Sequence, residues 1–264
     1  MAGFVTGSYK LLWGEHIHHG LWSADESAAD AQLRLTREVA RLAGIRTGER
    51  VLDVGCGMGG SSLHLARTLQ CQVTGITISP FQRRWASWAA WRRGLSRFTD
   101  FCCADAETIE FEPNRFDVVW SIECTEHLFD KPEFFRRAAG WLRPGGRMAI
   151  CAWLVGDRAD SQQAKQMVLD VCEGSFCPSL GSASDYRGWL EQAGLRVGVT
   201  EDWTDSVVKT WSICEARVKR TGVSRLAGWV DRDTVRFLQR FRTIRQAYEQ
   251  RAMAYGCFVA EKPA

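Results

Sequence analysis

The chain has 264 residues, enough for one full-sized α/β domain, and its 34 basic residues nearly balance 31 acidic ones. A formal net charge of +3 gives no indication of a nucleic-acid partner, and no apolar run reaches the roughly 20 residues that span a bilayer. The ten cysteines lack C-x-x-C spacing and several lie in apolar runs, so we read them as reduced. We therefore predict a single cytoplasmic domain over residues 1–264.

Strand-like and helix-like segments alternate along the chain, which is typical of a parallel sheet covered by helices on both faces. A first helix is predicted over Asp25–Leu42, with Ser23 or Asp25 as its N-cap. The clearest predicted strands after this helix are Val51–Val54, Gln72–Thr77, Phe116–Ile122 and Arg147–Trp153. The helices predicted between them are Ser61–Leu69, Pro80–Arg93 and Lys131–Leu142. The pattern predicts an α/β fold.

In the segment Val51–Gly60, VLDVGCGMGG, an apolar run is followed by an acidic residue and a cluster of glycines. Glycines let the backbone approach a ligand closely, and the start of a helix offers unpaired N–H groups, so the segment predicts a nucleotide-cofactor loop. A pyrophosphate would be repelled by Asp53, whereas an ammonium group beside a sulfonium would be attracted. The second strand ends in Thr77 instead of the acid that a dinucleotide site places there. These residues favour S-adenosylmethionine over NAD.

Four motifs resemble the class I S-adenosylmethionine-dependent methyltransferases and, within them, the tocopherol methyltransferase-like group. The motifs are WGEHIHHGLW at 13–22, VLDVGCGMGGSS at 51–62, GITISPFQ at 75–82 and FDVVWSIECTEHLFDKPEFF at 116–135. The resemblance implies a Rossmann-like seven-stranded sheet with helices on both faces, with S-adenosylmethionine as the cofactor and S-adenosylhomocysteine as its product. It also implies that residues 1–24 form a flap over the cofactor and that residues 25–203 form the core.

Carried over residue by residue, the resemblance implies a cofactor site made by four strand ends. The methionine moiety would lie on Gly55 and Gly57, with its ammonium at Asp53. The ribose would contact Thr77 and Gln82, as in the T-x-S-x-x-Q segment of cyclopropane fatty acid synthases. The full set of implied contacts is Asp53, Gly55, Cys56, Gly57, Thr77, Ile78, Gln82, Asp105, Ala106, Glu107, Ser121 and Ile122.

Catalytic candidates lie in two short segments. An unperturbed imidazole has a pKa near working pH, which makes His18 and His19 candidate bases. Their segment with His16 can also suggest a metal site, but its spacing is loose and the resemblance implies a flap here, so no metal is predicted. Glu126 and His127 follow the fourth strand, where open sheets collect ligands. A structural role and a catalytic role for this pair both remain open.

The last third of the chain departs from the resemblance. Val197–Trp203 and Cys257–Glu261 are predicted as the last two strands, yet about fifty residues separate them. Helices predicted over Ser206–Val218 and Asp231–Met253 fill this gap. We expect residues 204–254 to form a helical insertion that covers the acceptor pocket as a lid, with residues 255–264 as the last strand. Candidate lining residues are Trp211, Ile213 and Phe237.

Basic and aromatic residues are abundant in this sequence. The insertion carries Arg217, Lys219, Arg220, Arg225, Arg232, Arg236, Arg240, Arg242 and Arg245. A solvated helix face explains them most simply, and an anionic acceptor or a membrane surface is the alternative. Among the tryptophans, Trp85, Trp88 and Trp91 are predicted to serve packing, whereas Trp13, Trp22, Trp153 and Trp211 are the better pocket candidates.

The sequence thus predicts an enzyme that methylates a small, hydrophobic or aromatic molecule in bacterial secondary or cofactor metabolism. Ring-carbon transfer ranks slightly ahead of nitrogen or oxygen transfer because of the tocopherol-type resemblance. The alternatives are cyclopropane-synthase-like lipid modification, arsenite methylation by clustered thiolates, and a non-catalytic S-adenosylmethionine-binding protein. We expect a monomer or homodimer without nucleic acid or an integral membrane segment, and a peripheral membrane contact stays open.

Overall fold

The computed structural model describes the backbone of residues 15–221 and 232–264 and the side chains of residues 15–217 and 241–264. The strands are β1 Arg50–Val54, β2 Gln72–Thr77, β3 Thr99–Cys103, β4 Phe116–Ile122, β5 Leu142–Val155, β6 Arg196–Asp202 and β7 Met253–Glu261. The helices are α1 Ala28–Leu42, α2 Gly60–Leu69, α3 Pro80–Arg92, α4 Lys131–Trp141, α5 Gln162–Ser175, α6 Ala183–Gln192, α7 Thr204–Val207, α8 Lys209–Thr221 and α9 Arg232–Glu249. A 3-10 turn covers Thr125–His127.

The strands form one sheet in the order β3-β2-β1-β4-β5-β7-β6. Strands β1 to β5 pair in parallel, and β7 runs antiparallel to both β5 and β6. The chain first winds outward from β1 to β3 and then returns to place β4 on the other side of β1. Open sheets bind ligands at such a switch point, beyond the carboxyl ends of the strands. The predicted α/β fold with seven strands is confirmed.

Both faces of the sheet are buried because successive strand residues point to opposite sides. Val51 and Trp120 join one apolar cluster, and Leu52 and Val119 join the other. Every residue of β4 is buried, as expected for a central strand of a covered sheet. Each fully buried side chain of this kind contributes roughly 1.5–3 kcal/mol.

The first helix starts later than the sequence predicted. Ser27 is its N-cap and its hydroxyl accepts a hydrogen bond from the Asp30 amide, so α1 begins at Ala28. Ser23 belongs to a separate turn, in which its amide donates to the Glu26 carboxylate at 2.9 Å. The predicted cap at Ser23 or Asp25 was therefore wrong, because this local side-chain contact competes with helix formation.

Helices α7, α8 and α9 lie between β6 and β7, where the insertion was predicted. The first predicted helix is divided into α7 and α8, and the second ends at Glu249, because Arg251 adopts a left-handed φ of 60° and β7 starts at Met253. Helix α5 was not predicted. Among the described residues, no helix is long and apolar enough to cross a membrane.

Candidate active site

The glycine loop between β1 and α2 approaches the strand ends closely. Gly55 has a φ of 77°, and a Cβ placed on it would lie 2.4 Å from the Cβ of Cys124, so only glycine fits here. The amides of Gly55 and Cys56 both donate to the Ile76 carbonyl, at 3.0 and 2.9 Å. Gly57 continues the turn with a φ of 53°. The loop is thereby fixed to β2 and leaves a cradle without side chains.

Asp53, the penultimate residue of β1, presents a buried carboxylate beside this loop. The Ser62 hydroxyl donates to its Oδ2 at 2.5 Å, and no ion pair reaches it within the described residues. Burial raises the pKa of Asp53 to about 6, although the hydrogen bonds from Ser62 oppose that rise. A desolvated carboxylate without a cation is suited to bind one. Sequence reasoning missed Ser62, the second serine of GGSS.

Thr77 and Gln82 lie together at the carboxyl end of β2. The Thr77 hydroxyl donates to Gln82 Oε1 at 2.7 Å and accepts from the Ser79 amide at 3.2 Å. Ser79 is the N-cap of α3 and holds the Gln82 amide at 3.3 Å. Ile78 is 75% exposed beside them, which leaves an apolar surface for a ligand. The predicted ribose contacts are therefore neighbours in the fold.

The turn after β3 is fixed by its own side chains. Asp105 Oδ1 accepts from the Glu107 amide at 2.9 Å, and Ala106 between them is buried. Glu107 Oε1 accepts from the amides of Phe129 and Asp130, both at 2.9 Å. The Glu107 carboxylate thus ties this turn to the segment beyond β4, while Asp105 stays exposed.

Ser121 and Ile122 end β4 and are both buried. The Ser121 hydroxyl donates to the Val54 carbonyl at 3.1 Å, which fixes the end of β4 against β1. Because β1 to β4 are parallel, the predicted cofactor residues of all four strand ends lie at one edge of the sheet. Cys56 lies there too, and burial, followed by the charge of Asp53, raises the pKa of its thiol, which stays neutral.

Glu123 follows β4 with a left-handed φ of 53° and accepts hydrogen bonds from three elements. Its Oε1 accepts from the His19 amide at 2.7 Å and from the Tyr255 hydroxyl at 2.8 Å, and its Oε2 accepts from Trp153 Nε1 at 3.0 Å. Burial alone would raise the pKa of Glu123, but the ring and amide of His19, together with the neighbouring His18, lower it to about 2. Glu123 is therefore an ionised, fully engaged carboxylate.

His19 is buried with both ring nitrogens engaged. Its Nδ1 lies 3.0 Å from Glu123 Oε1, and Trp211 Nε1 donates to its Nε2 at 2.6 Å. An indole N–H can only donate, so Nε2 carries the lone pair and Nδ1 carries the proton. The ring centroid lies 5.0–5.6 Å from four aromatic rings: Trp153, Trp211, Tyr248 and Tyr255. His19 links the N-terminal segment, β4 and α8.

His18 faces α1 instead. Its Nδ1 donates to the His19 carbonyl at 2.7 Å, and its Nε2 lies 3.1 Å from His16 Nδ1 and 3.4 Å from the Thr36 hydroxyl. Burial lowers the pKa of His18, and burial with the neighbouring His18 lowers that of His16 to about 3. Both rings are therefore neutral at pH 7. Among the described residues, no group of three or more His, Cys, Asp or Glu is arranged to hold a metal ion.

Glu126 and His127 lie in the 3-10 turn and differ in surroundings. Glu126 is buried; its Oε1 accepts from the Trp153 amide at 3.1 Å, whereas its Oε2 has no partner within the described residues. Burial, and then the charge of Glu123, raises the pKa of Glu126 to about 8. His127 lies at the surface, with Nδ1 3.4 Å from the Phe176 carbonyl. Of this pair, Glu126 is the candidate for proton transfer.

The described part of the N-terminal segment joins the glycine loop to the insertion. The Gly20 amide and Trp22 Nε1 both donate to the Thr210 hydroxyl, at 3.1 and 2.9 Å, and the Trp22 amide donates to the Ser206 carbonyl. The predicted lining residues Trp13 and Phe237 lie outside the described side chains, while Ile213 is partly buried in α8.

Gly60→Ala should displace this segment from the glycine loop. A Cβ at Gly60 would lie 2.7 Å from the Glu15 carbonyl and 2.8 Å from His16 Nδ1, and the backbone contact cannot be relieved by a rotamer change. We expect faster limited proteolysis near residue 15 and a roughly tenfold weaker affinity for S-adenosylmethionine. Gly140→Ala in α4, where a Cβ has no neighbour within 4 Å, is the matched control and should stabilise the protein by about 0.5–1 kcal/mol. If Gly60→Ala and Gly140→Ala had the same proteolysis rate and cofactor affinity, Gly60 would not be in close contact with the N-terminal segment.

Comparison with known proteins agrees with this geometry. A family described as "Methyltransferase domain" matches residues 27–198, more than half of the chain. The chain therefore belongs to the class I S-adenosylmethionine-dependent methyltransferases, and S-adenosylmethionine is its cofactor. Within them it resembles the tocopherol methyltransferase group: "Tocopherol O-methyltransferase, chloroplastic" of Arabidopsis thaliana is 34% identical over 225 residues, 78% of this chain and 65% of that enzyme. The match thus spans slightly less than two thirds of the relative.

One further relative and one solved structure are also similar to this chain. "27-O-demethylrifamycin SV methyltransferase" of Amycolatopsis mediterranei is 35% identical over 208 residues, which cover 76% of this chain and 74% of that enzyme. A solved structure from Galdieria sulphuraria, described as a candidate sarcosine dimethylglycine methyltransferase, superposes with a TM-score of 0.85 at 23% identity and covers 98% of both chains. At 23% identity, the similarity to the Galdieria sulphuraria structure shows the fold alone. The family match and the curated relatives support methylation of a small molecule.

Proposed function

We propose that this enzyme methylates a small hydrophobic or aromatic acceptor that carries a hydroxyl group, and that Glu126 takes the proton from that hydroxyl. The observation that carries the proposal is a buried carboxyl with an unengaged oxygen and a pKa of about 8. A pKa near the working pH is best suited to proton transfer. The printed name of the Arabidopsis relative concerns oxygen transfer, which favours oxygen over the ring carbon that the sequence ranked first.

The surroundings of Glu126 support an uncharged, largely apolar acceptor. Trp153 and Trp211 have ring centroids 5.6 Å apart and are both buried. The Tyr248 hydroxyl is buried without a partner in the described part of the chain, and burial, with Glu123 and Glu126, raises its pKa. It therefore remains a hydrogen-bond donor. A phenol or enol oxygen suits Tyr248 as donor and Glu126 as proton acceptor.

The residues at the sheet edge fit S-adenosylmethionine, because the cradle at Gly55 admits no side chain and Asp53 is a buried carboxylate in need of a cation. When bound, this cofactor supplies an electrophilic methyl group on a sulfonium. We propose that Asp53 binds the ammonium group, that Thr77 and Gln82 bind the ribose, and that Asp105 and the Ala106 amide bind the adenine.

The N-terminal segment and α8 exclude water from the acceptor, so that its oxygen can be held about 3–3.5 Å from the methyl carbon. Glu126 Oε2 would take the hydroxyl proton while the acceptor oxygen receives the methyl group, and the bound cofactor would leave as S-adenosylhomocysteine. The His19–Glu123 pair stays outside the proton transfer and positions the segment that covers the site.

The proposal is tested by incubating the full chain with methyl-labelled S-adenosylmethionine and a set of phenols, hydroxyquinones and matched methyl ethers. We expect labelled products from the phenols and none from the ethers, with mass fragmentation placing the methyl on oxygen. A label on a ring carbon would again favour carbon transfer over oxygen transfer. A labelled cyclopropane in a lipid would favour the cyclopropane-synthase-like alternative instead. Cofactor binding without any labelled product would favour the non-catalytic alternative.

The arsenite alternative has no support in the arrangement of the thiols. It requires clustered cysteines, but Cys102 and Cys103 lie in the edge strand β3, which three strands separate from β5. Cys177 follows helix α5, and its sulfur lies 3.6 Å from Nδ1 of His127 in the turn after β4. Burial raises the pKa of Cys177, which disfavours the thiolate that would bind arsenic.

Glu126→Gln should change activity and stability in opposite directions. The folded pKa of about 8 lies above the ordinary value of 4.5, so the wild type loses stability as pH rises between these values. Gln has no such loss, and the variant should become more stable than the wild type by about 3 kcal/mol at pH 7, from about 1.4 kcal/mol per pKa unit. Its kcat should fall about 10²–10⁴-fold.

Urea unfolding at pH 5, 6, 7 and 8 and a pH–rate profile measure both effects. The stability gap should widen with pH, and the wild-type rise in kcat/KM toward pH 8 should vanish in the variant. Glu133→Gln on the exposed surface of α4 is the control and should leave both profiles unchanged. A destabilised Glu126→Gln with full activity would assign Glu126 a structural role.

A further inference from the structure

Helix α3 exposes three of its large apolar residues, while a fourth, Trp85, packs partly buried against the core. Its buried residues are the small Ala86, Ala89 and Ala90, whereas a helix of a water-soluble protein normally buries its large ones. Phe81, Trp88 and Trp91 are 39%, 43% and 70% exposed. This outcome contradicts the sequence prediction that Trp88 and Trp91 serve packing. The alanines are required inside because α3 passes close to the glycine loop, where a Cβ on Gly59 would lie 2.9 Å from that of Ala86.

The exposed aromatic residues lie on one face together with arginines. Positions at spacings of three and four residues share a helix face, and Arg84 falls between Phe81 and Trp88. Arg92 lies over the Trp88 ring, 5.1 Å from its centroid. We call this face the α3 stripe; its residues are Phe81, Arg84, Trp88, Trp91 and Arg92.

All charged side chains in the segment that contains helix α3 are positive. Between Asp53 and Asp100 the sequence has no Asp or Glu and contains six arginines. One of them, Arg93, pairs with Glu15. Arg84 and Arg92 have no carboxylate partner among the side chains that the structure describes. The α3 stripe therefore combines an apolar crest with uncompensated positive charge.

We propose that the α3 stripe is a contact surface for a lipid bilayer that contains anionic lipids. Tryptophan and phenylalanine insert favourably at the headgroup level, and arginines beside them are attracted by anionic headgroups. Each such arginine contributes about 1 kcal/mol at an anionic surface. The outward aromatic residues, which are unfavourable in water, then acquire an apolar environment.

The charge also discriminates between partners. A second copy of this chain would place like-charged arginines of two α3 stripes opposite each other, which is repulsive. A nucleic-acid duplex, whose bases are already stacked, would satisfy the arginines but would leave Phe81, Trp88 and Trp91 in contact with phosphates and water. An anionic bilayer complements both components at once.

The α3 stripe lies next to the candidate active site. Helix α3 starts three residues after Thr77, at the carboxyl edge of the sheet where the candidate site lies. A bilayer on this stripe is therefore adjacent to the rim of the site. A hydrophobic molecule dissolved in the bilayer would have a short path to that rim, whichever molecule it is.

The test is co-sedimentation of the full chain with vesicles of phosphatidylcholine alone and of phosphatidylcholine mixed with phosphatidylglycerol. We expect binding to the mixed vesicles only, weakened by added salt. Arg84→Gln/Arg92→Gln should lower the partition coefficient about 30-fold, from about 1 kcal/mol per arginine. Trp88→Ser/Trp91→Ser should lower it at least about tenfold.

Matched controls are Leu169→Ser on α5, which is 61% exposed, and Arg136→Gln on α4. They should bind like the wild type, and all variants should keep the wild-type unfolding temperature because the changes are at the surface. The proposal is overturned if the wild type does not bind mixed vesicles or if the stripe variants bind equally well. Tighter binding of a single-stranded oligonucleotide, lost in the stripe variants, or a dimer dissociated by Trp88→Ser/Trp91→Ser would also overturn it.

Discussion

Asp53→Asn should weaken the affinity for S-adenosylmethionine about 100-fold while leaving the fold intact. Asn has the shape of Asp and can still accept from the Ser62 hydroxyl, so the change removes the charge alone. A charge-assisted bond in a buried site contributes about 1.5–3 kcal/mol, which corresponds to factors of about ten to more than 100. Isothermal titration with S-adenosylmethionine and with S-adenosylhomocysteine, which shares the ammonium group, should show the same loss.

The same site predicts the pH dependence of binding. Because the pKa of Asp53 is about 6 in the protein without cofactor, the carboxylate is protonated below that value. Wild-type affinity should be constant above pH 7 and fall about tenfold per pH unit below pH 6, whereas Asp53→Asn should show no such fall. Asp100→Asn, at an exposed position of β3, is the control. An unchanged Kd in Asp53→Asn would remove Asp53 from the cofactor site.

Local patterns predicted the strand ends of the sheet well. Asp53 and Thr77 form hydrogen bonds with residues close to them in sequence, Ser62 and Gln82. Contiguous apolar runs that end in glycine or threonine are visible in a single sequence, and the parallel fold then places these ends side by side. The seven strands and the position of the insertion followed from the same patterns and from the family resemblance.

Contacts between distant segments were not predictable in this way. Glu123 bonds His19 and Tyr255, which lie 104 and 132 residues away in sequence. Nothing in the sequence near Glu123 distinguishes it from Glu126, yet contact with His19 lowers the pKa of Glu123, whereas burial, followed by the charge of Glu123, raises the pKa of Glu126. The α3 stripe escaped prediction for a related reason: helical spacing identifies a face, but only the packing of Ala86 against the glycine loop determines which face is inside.

Glu123→Gln should be the most destabilising single substitution in this site, by about 3–5 kcal/mol. Hydrogen bonds to a charged acceptor contribute about 1.5–3 kcal/mol each, and Gln removes the charge from all those that Glu123 accepts. Gln offers one carbonyl oxygen in place of two carboxylate oxygens, so the donors from His19, Trp153 and Tyr255 cannot all be satisfied. Urea unfolding at pH 7 measures the loss, and the exposed Glu133→Gln should cost less than about 1 kcal/mol.

A milder variant keeps this prediction measurable if Glu123→Gln does not fold. Tyr255→Phe removes a single hydroxyl and should cost about 1–3 kcal/mol because it leaves Glu123 with one donor fewer. Since Glu123 also binds the His19 amide, both variants should loosen the N-terminal segment and raise the Kd for S-adenosylmethionine together with the loss of stability. In a double-mutant cycle, the two substitutions should couple by about 0.5–3 kcal/mol, as groups in one hydrogen-bond network do. Additive effects would mean that Glu123 and Tyr255 act independently, and the carboxylate would then hold only the N-terminal segment, without joining it to β7.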